Sequence, residues 1–395
     1  MIQERSSRKK PLVRVLFLGN PVTDRRVKNF IGLFLELGFD VEFIFAAPGK
    51  WEIGLEIEGV RMTRLMLDYS GGAKMFLQYD KLLKKELEAS EPCDILFTCE
   101  LYSLRAASEL KKEKKSKQLI YDARELYSEL PSVAANPFKK WYWKRWERKG
   151  LAQTDLVIVT APDDADAIKH VHNILLQCVV IRNLPIREKL IPNNYLRDYF
   201  SIPAEKKIFV YVGGLQKDRG LGKVISVMAS FAKRADLILI GEGPLQSDLA
   251  REVIRLGLQK NVFFHPAINS EKIIEVLTSA DLGISLIEQH SKSYELALPS
   301  KIFEYMHAGL PVISSPLKQV KDLFHSTEGV VFADPDDSAE ISVAFEKAMV
   351  ISADPNIRNR IRERMAKGYT FETDTGNLKS FLRRYTKPET RTSNQ

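Results

Sequence analysis

Lys301 and Glu304 share one helical turn in LPSKIFEYMHAGLPVISS (298–315), an otherwise apolar stretch opened by Pro299 and Ser300. A helix start exposes unpaired N–H groups and the positive end of the peptide dipoles, so it attracts anions and disfavours a lysine standing there alone. Ser300 is a candidate cap, and the backbone of Leu298, Pro299 and Ser300 is available to a phosphate. A carboxylate such as Glu304 can accept two hydrogen bonds from a vicinal diol. A nucleotide with its diphosphate on the helix start and its ribose on Glu304 accounts for both charges. An acid that only complements the dipole accounts for Glu304 but leaves Lys301 unexplained.

Four other turns have comparable chemistry. In VGGLQKDRGLGKV, Gly213 and Gly214 follow an apolar run and Arg219 precedes the next helical pattern, an arrangement that suits a phosphate. The spacing matches neither the P-loop nor the dinucleotide fingerprint. In LIGEGPLQSDL, Gly241 and Glu242 form a tight turn that reads equally well as packing or as site. In LGNPVTDRRVKN, Gly19 and Asn20 end a strand pattern, Asp24 can cap a helix and Arg26 lies near its start. In IYDARELYSELP, Asp122, Arg124, Glu125 and Glu129 follow a strand pattern and suit a substrate-facing loop. Each of these turns also has the plain reading of a capped surface helix or an ordinary turn.

The elements that must carry these turns alternate regularly. Short apolar runs at 13–19, 40–46, 94–100, 118–124, 155–161 and 178–185 are separated by helical patterns, and near Lys206 the series restarts. Helices are expected through 222–235 and from Ser300, and a strand in LPVISS. Such alternation specifies parallel sheets covered by helices, and two series specify two doubly wound α/β domains with a boundary near 186–205. A chain of 395 residues is long enough for both cores. Ligands of such sheets bind at the carboxyl ends of the strands, where the turns above fall.

The net charge of +8 favours anionic partners without choosing among nucleotide, nucleic acid and membrane surface. Cys93, Cys99 and Cys178 have no metal-site spacing and read as reduced thiols of a cytoplasmic protein. No apolar run reaches membrane-helix length, and the basic, apolar-interrupted start reads as a tail and first strand rather than a leader. No metal is expected: His-Glu-x-x-His is absent, and His170 and His172 would not share a helical face.

Taken in order, DRRVKNFIGLFLELGFDVEFI, YDARELYSE, GEGP, ADLGISLI and LPSKIFEYMHAGLPVI resemble the motifs of the retaining nucleotide-sugar glycosyltransferases of family four, over nearly the whole chain. The resemblance implies the GT-B fold: two Rossmann-like doubly wound parallel-sheet domains facing a central cleft, with a C-terminal helix crossing back to the first. It implies a basic tail (1–10), an acceptor-side domain (11–190), a nucleotide-sugar domain (200–370), the crossover helix (371–386) and a disordered tail (387–395). Arg219 and Lys301 would hold the diphosphate, Glu304 the ribose, Gly213 and Gly214 the phosphates, and Ala267 and Ile268 the base. Gly19, Asn20, Arg26, Asp122, Glu125, Gly241 and Glu242 are further substrate-binding candidates, and Arg124 joins Arg219, Lys301 and Glu304 as a catalytic one.

Two departures stand out. Family spacing puts a first glutamate at position 296, where this chain has Leu296; Glu295 is the nearest acid. The family's donor-facing histidine is Arg124 here, which suits an acidic or differently substituted sugar or else marks lost activity.

The implied reaction moves a hexose-type sugar from a nucleoside diphosphate to a hydroxyl of a glycan or lipid-linked acceptor, with retention, in cell-surface polysaccharide or glycolipid synthesis. Each preorganised donor to the leaving diphosphate is typically worth about 3–4 kcal/mol. No confident nucleophile is visible, in keeping with a front-face displacement. The alternatives are a catalytically inactive homologue acting as a nucleotide- or sugar-binding partner subunit, and a nucleotide-sugar epimerase. One stretch bears on the partner: PFKKWYWKRWERKG (137–150) mixes six Lys/Arg with five aromatic residues. It suits peripheral contact with an anionic membrane on the cytoplasmic face of the plasma membrane; an amphipathic helix with its aromatic side in the core is the plain alternative. Nucleic acid is not expected, since no binding module is visible.

Overall fold

The computed structural model describes residues 10–47, 56–288 and 297–386. Glu295, the first nine residues of the basic tail and the tail from 387 lie outside these described residues. The chain forms two compact units. One holds the residues up to Ser128, Ser132–Arg182 and those from Asp374 on; the other holds Glu129–Pro131 and Asn183–Thr373.

The first unit is built on seven strands: β1 (Leu12–Leu18), β2 (Asp40–Ala46), β3 (Val60–Arg64), β4 (Cys93–Cys99), β5 (Ser116–Ala123), β6 (Leu156–Val159) and β7 (Cys178–Val180). Their spatial order is β3-β2-β1-β4-β5-β6-β7, every pair parallel. The chain winds outward from β1 in one direction and then from β4 in the other, so the order reverses between β1 and β4. The second sheet repeats this plan with β8 (Lys207–Val212), β9 (Ala235–Ile240), β10 (Val262–His265), β11 (Leu282–Ser285), β12 (Val312–Ser314) and β13 (Val330–Phe332). Its order is β10-β9-β8-β11-β12-β13, and the reversal falls between β8 and β11. Strands covered by helices on both faces need apolar side chains on both faces. Thus β1 is buried from Val13 to Leu18, and β9 throughout.

Sequence and structure differ at four places. The edge strands β3 and β13 were not expected; VRMTR and VVF are too short and too mixed to stand out. The helix expected through 222–235 ends at Met228, and single-turn bonds such as Phe231 N to Met228 O carry the chain into β9. The C-terminal helix is interrupted: Phe371–Asp374 and Gly376–Thr386 are separate, with Thr375 between them. Asp374 at the break is held by Arg182, which donates its backbone N–H at 3.0 Å and its guanidinium at 2.8 and 2.5 Å.

Asp24 caps the first helix (Arg25–Glu36) as expected, accepting from Val27 N at 2.8 Å. That cap fixes the helix so that Arg26 points inward. Arg26 is 3% exposed and donates to the fully buried Asp122 at 2.6–3.1 Å, and to the carbonyls of Ile181 and Arg182 at 2.8 and 3.2 Å. Burial alone would push the Asp122 carboxyl up; Arg26 and Arg124 together hold it below the usual carboxylate range. The pair ties the strand ends of β5 and β7 to the first helix. Arg26→Met, which leaves the buried Asp122 with Arg124 as its remaining ion pair, is expected to lower unfolding free energy by about 3 kcal/mol in urea denaturation.

Candidate functional site

The reversal points in doubly wound sheets leave crevices at the strand carboxyl ends where ligands bind. In the second unit the residues there converge. Gly213 and Gly214 leave β8, and Gly241 leaves β9. Gly213 and Gly241 have φ of +130° and +133°, which side-chain-bearing residues rarely adopt. A Cβ on Gly241 would lie 2.2 Å from the Gly213 carbonyl oxygen. Glycine at 241 therefore has a packing cause, and it lets the first turn lie against the second.

Lys301 reaches this turn from the helix Ser300–His307. Its ammonium lies 4.0 Å from the centre of the Tyr211 ring and 3.2 Å from where a Gly213 Cβ would be. Two tyrosines brace the arrangement. Tyr211 donates its hydroxyl to Gly214 O at 2.9 Å; Tyr305 accepts from Val212 N at 2.8 Å and donates to Ile284 O at 3.1 Å. Arg219 is close enough for its charge to act on both Lys301 and Tyr211, and Glu304 acts on Lys301 with the opposite sign. Burial, reinforced by Arg219 and opposed by Glu304, pulls the Lys301 ammonium down to about 7. The structure thus brings Gly213, Gly214, Arg219, Lys301 and Glu304 together on one unit. Ala267 and Ile268 follow β10 on the same sheet, and the exposed Glu242 follows Gly241. Ser300 is not the cap. Pro299 holds that position, no side chain caps the helix, and Ser300 is already its first residue. The reason is geometric: Pro299 has the extended backbone of a cap (ψ 123°) and no side-chain acceptor.

The first unit departs further from the sequence reading. Arg26 and Asp122 are engaged with each other inside the unit, and neither is available to a substrate. Asn20 closes a turn, accepting from Val22 N at 2.8 Å, beside Gly19, whose N–H bonds Ala46 O at 2.9 Å. Arg124 donates to Asp122 at 3.0 Å and also bonds Asp24, while its second terminal nitrogen is buried without a hydrogen-bond acceptor. Glu125, next along the turn, is exposed.

Glu100 was not singled out from the sequence. It follows β4 at the reversal between β1 and β4, with φ +71°, a strained value for a residue with a side chain. Its carboxylate lies 3.6 Å from Arg124 and is 23% exposed. Burial pushes it up to about 7 against the pull of Arg124, with Asp24, Glu125 and Asp122 adding repulsion. The available signal was an acid placed directly after the apolar run DILFTC.

With the geometry in place, the relatives fall into one class. Residues 195–368 match the family model described as glycosyl transferases group 1. The fold is similar to that of sucrose-phosphate synthase from Thermosynechococcus elongatus, with a TM-score of 0.76 and 19% identity over 94% of this chain and 98% of that one. The chain has the GT-B fold, and the stretch that matches the group 1 glycosyl transferase model lies within its second unit.

Among curated relatives, the chitobiosyldiphosphodolichol beta-mannosyltransferase of Debaryomyces hansenii is 34% identical over 105 residues, 26% of this chain and 22% of its own length. The putative teichuronic acid biosynthesis glycosyltransferase TuaC of Bacillus subtilis is 23% identical over 129 residues, 33% of this chain and 30% of that protein. The chain therefore aligns with less than a third of either relative.

A diphosphate beside Lys301 should restore its proton. Nucleoside diphosphate binding at pH 8 is expected to take up about one proton, and affinity to fall by up to about tenfold per pH unit above 7. Calorimetry in buffers of different ionisation enthalpy reads the uptake; Lys301→Met should abolish it.

Proposed function

We propose that the protein transfers a hexose-type sugar from a nucleoside diphosphate sugar to a hydroxyl of a glycan or lipid-linked acceptor. The observation that carries this reading is the Lys301–Gly213 approach at the β8 reversal point, with Arg219 and Glu304 alongside. Charge develops on the departing diphosphate as the glycosidic bond breaks. A guanidinium, an ammonium and glycine backbone placed at one strand end are the groups that stabilise such charge. Glu304 would accept from the ribose diol. Arg124, with an unsatisfied buried nitrogen, suits an anionic or strongly hydrogen-bonding group on the sugar or acceptor. The relative named for chitobiosyldiphosphodolichol supports an acceptor linked to lipid through a diphosphate.

Retention of anomeric configuration belongs to this reading, with the departing phosphate taking the acceptor proton. A second reading rests on Glu100: a carboxylate with a pKa near 7 is suited to general-base work, and a base on the protein goes with inversion, in line with the relatives named for a β-mannosyl linkage.

Thermal-shift and calorimetric titrations with UDP, GDP, ADP and CDP test the donor site. One nucleotide should bind, and Glu304→Ala should weaken it about tenfold or more, the scale of lost charged hydrogen bonds. Failure of all four would refute the phosphate reading. Glu100→Gln separates the stereochemical readings. Under retention, transfer survives the change and the pH–rate profile is unaltered; under inversion, kcat falls about a hundredfold or more with nucleotide affinity intact. The product's anomeric coupling constant in NMR reports the outcome directly.

A further inference from the structure

The helix Pro137–Leu151 has a role that the donor site does not use. Its rotational setting is fixed from inside the unit. Glu147, 2% exposed, accepts from the Tyr121 hydroxyl at 2.9 Å and pairs with His172 Nε2 at 2.9 Å. Gly150 lies against Leu104, where an added Cβ would come within 2.4 Å. Trp143 packs edge-on against Phe76 and Tyr102, each at 5.6 Å. On this inner side Trp143 is half-buried, as is Trp146, whose ring centroid lies 4.0 Å from the Arg105 guanidinium.

The opposite side is turned to solvent. Phe138 and Trp141 are 72% and 57% exposed, with ring centroids 6.0 Å apart. Arg145 and Arg148 continue their stripe at helical spacing, and Lys139 and Lys144 flank it, all exposed. The helix's single acid is the buried Glu147, so its outer face is uniformly cationic. Among the described residues no helix is long and apolar enough to cross a membrane.

We propose that this face docks the protein on a bilayer surface containing anionic phospholipid. Two exposed rings and a row of cations on one helix face match that surface in both polarity and charge. A polyanion in solution would use the cations but has no need for Phe138. The proposal is independent of the transferase reading, and its test uses no activity.

The test is flotation of the full chain with phosphatidylcholine vesicles with and without phosphatidylglycerol, at low and high salt. Binding is expected only with phosphatidylglycerol and is expected to weaken with salt. Neutralising Lys144, Arg145 and Arg148 to Ala should reduce the partition coefficient on the order of a hundredfold. Phe138→Ala with Trp141→Ala should reduce it about tenfold or more and remove quenching of Trp fluorescence by brominated lipid. Since these side chains are exposed, melting temperatures should match the parent. No binding to anionic vesicles, equal binding by the variants, or displacement of vesicles by single-stranded oligonucleotide at physiological salt would each overturn the proposal.

Discussion

Two strand ends in the second unit lie closer together than side chains allow. Gly241 abuts the Gly213 carbonyl, and both residues take a backbone conformation open mainly to glycine. Everything else at this site follows from that approach. It aligns the β8 turn so that Tyr211 can close it through Gly214 and leaves room for Lys301 above the Tyr211 ring. Tyr305, one residue past Glu304, pins the same helix to β8 and β11. A methyl group at 241 would push the turn away, and the ammonium would lose its ring and its position.

The strand ends of the first unit are organised by charge instead. Arg26, Asp122, Arg124, Asp24 and Glu100 form a connected set in which the innermost pair is wholly internal and the outermost members retain some exposure. An inner ion pair with a full complement of hydrogen bonds fixes geometry without offering a ligand anything. The outer members, Arg124 and Glu100, are partly exposed, and Arg124 keeps a buried nitrogen without an acceptor.

The alternation of strands and helices was legible because buried parallel strands must be continuously apolar, as in VLFL and LILI. The proximity of Gly213, Arg219, Lys301 and Glu304 was legible because each falls in a turn or helix start that follows a strand of one doubly wound sheet. What could not be read was pairing across distance. Arg26 and Asp122 are 96 residues apart, and only the fold reveals that they satisfy each other rather than a substrate. Glu100 escaped for a related reason: its distinctive properties are a backbone angle and a burial, and neither is written in residue type. The inner and outer faces of Pro137–Leu151 were likewise hidden, because aromatic residues lie on both and only Glu147 and Gly150 set the phase.

The position of Lys301 has a consequence for selectivity. With its ammonium drawn down to about 7, Lys301 is only partly charged in neutral solution, and Arg219 beside it carries the permanent positive charge. A polyphosphate creates its own counter-charge by drawing a proton onto the lysine, and the gain grows with the valence of the ligand. Such charge regulation makes Lys301 respond to the valence of an anion more steeply than a permanently charged arginine in its place would. On the proposed function, a departing nucleoside diphosphate would return that proton to solvent.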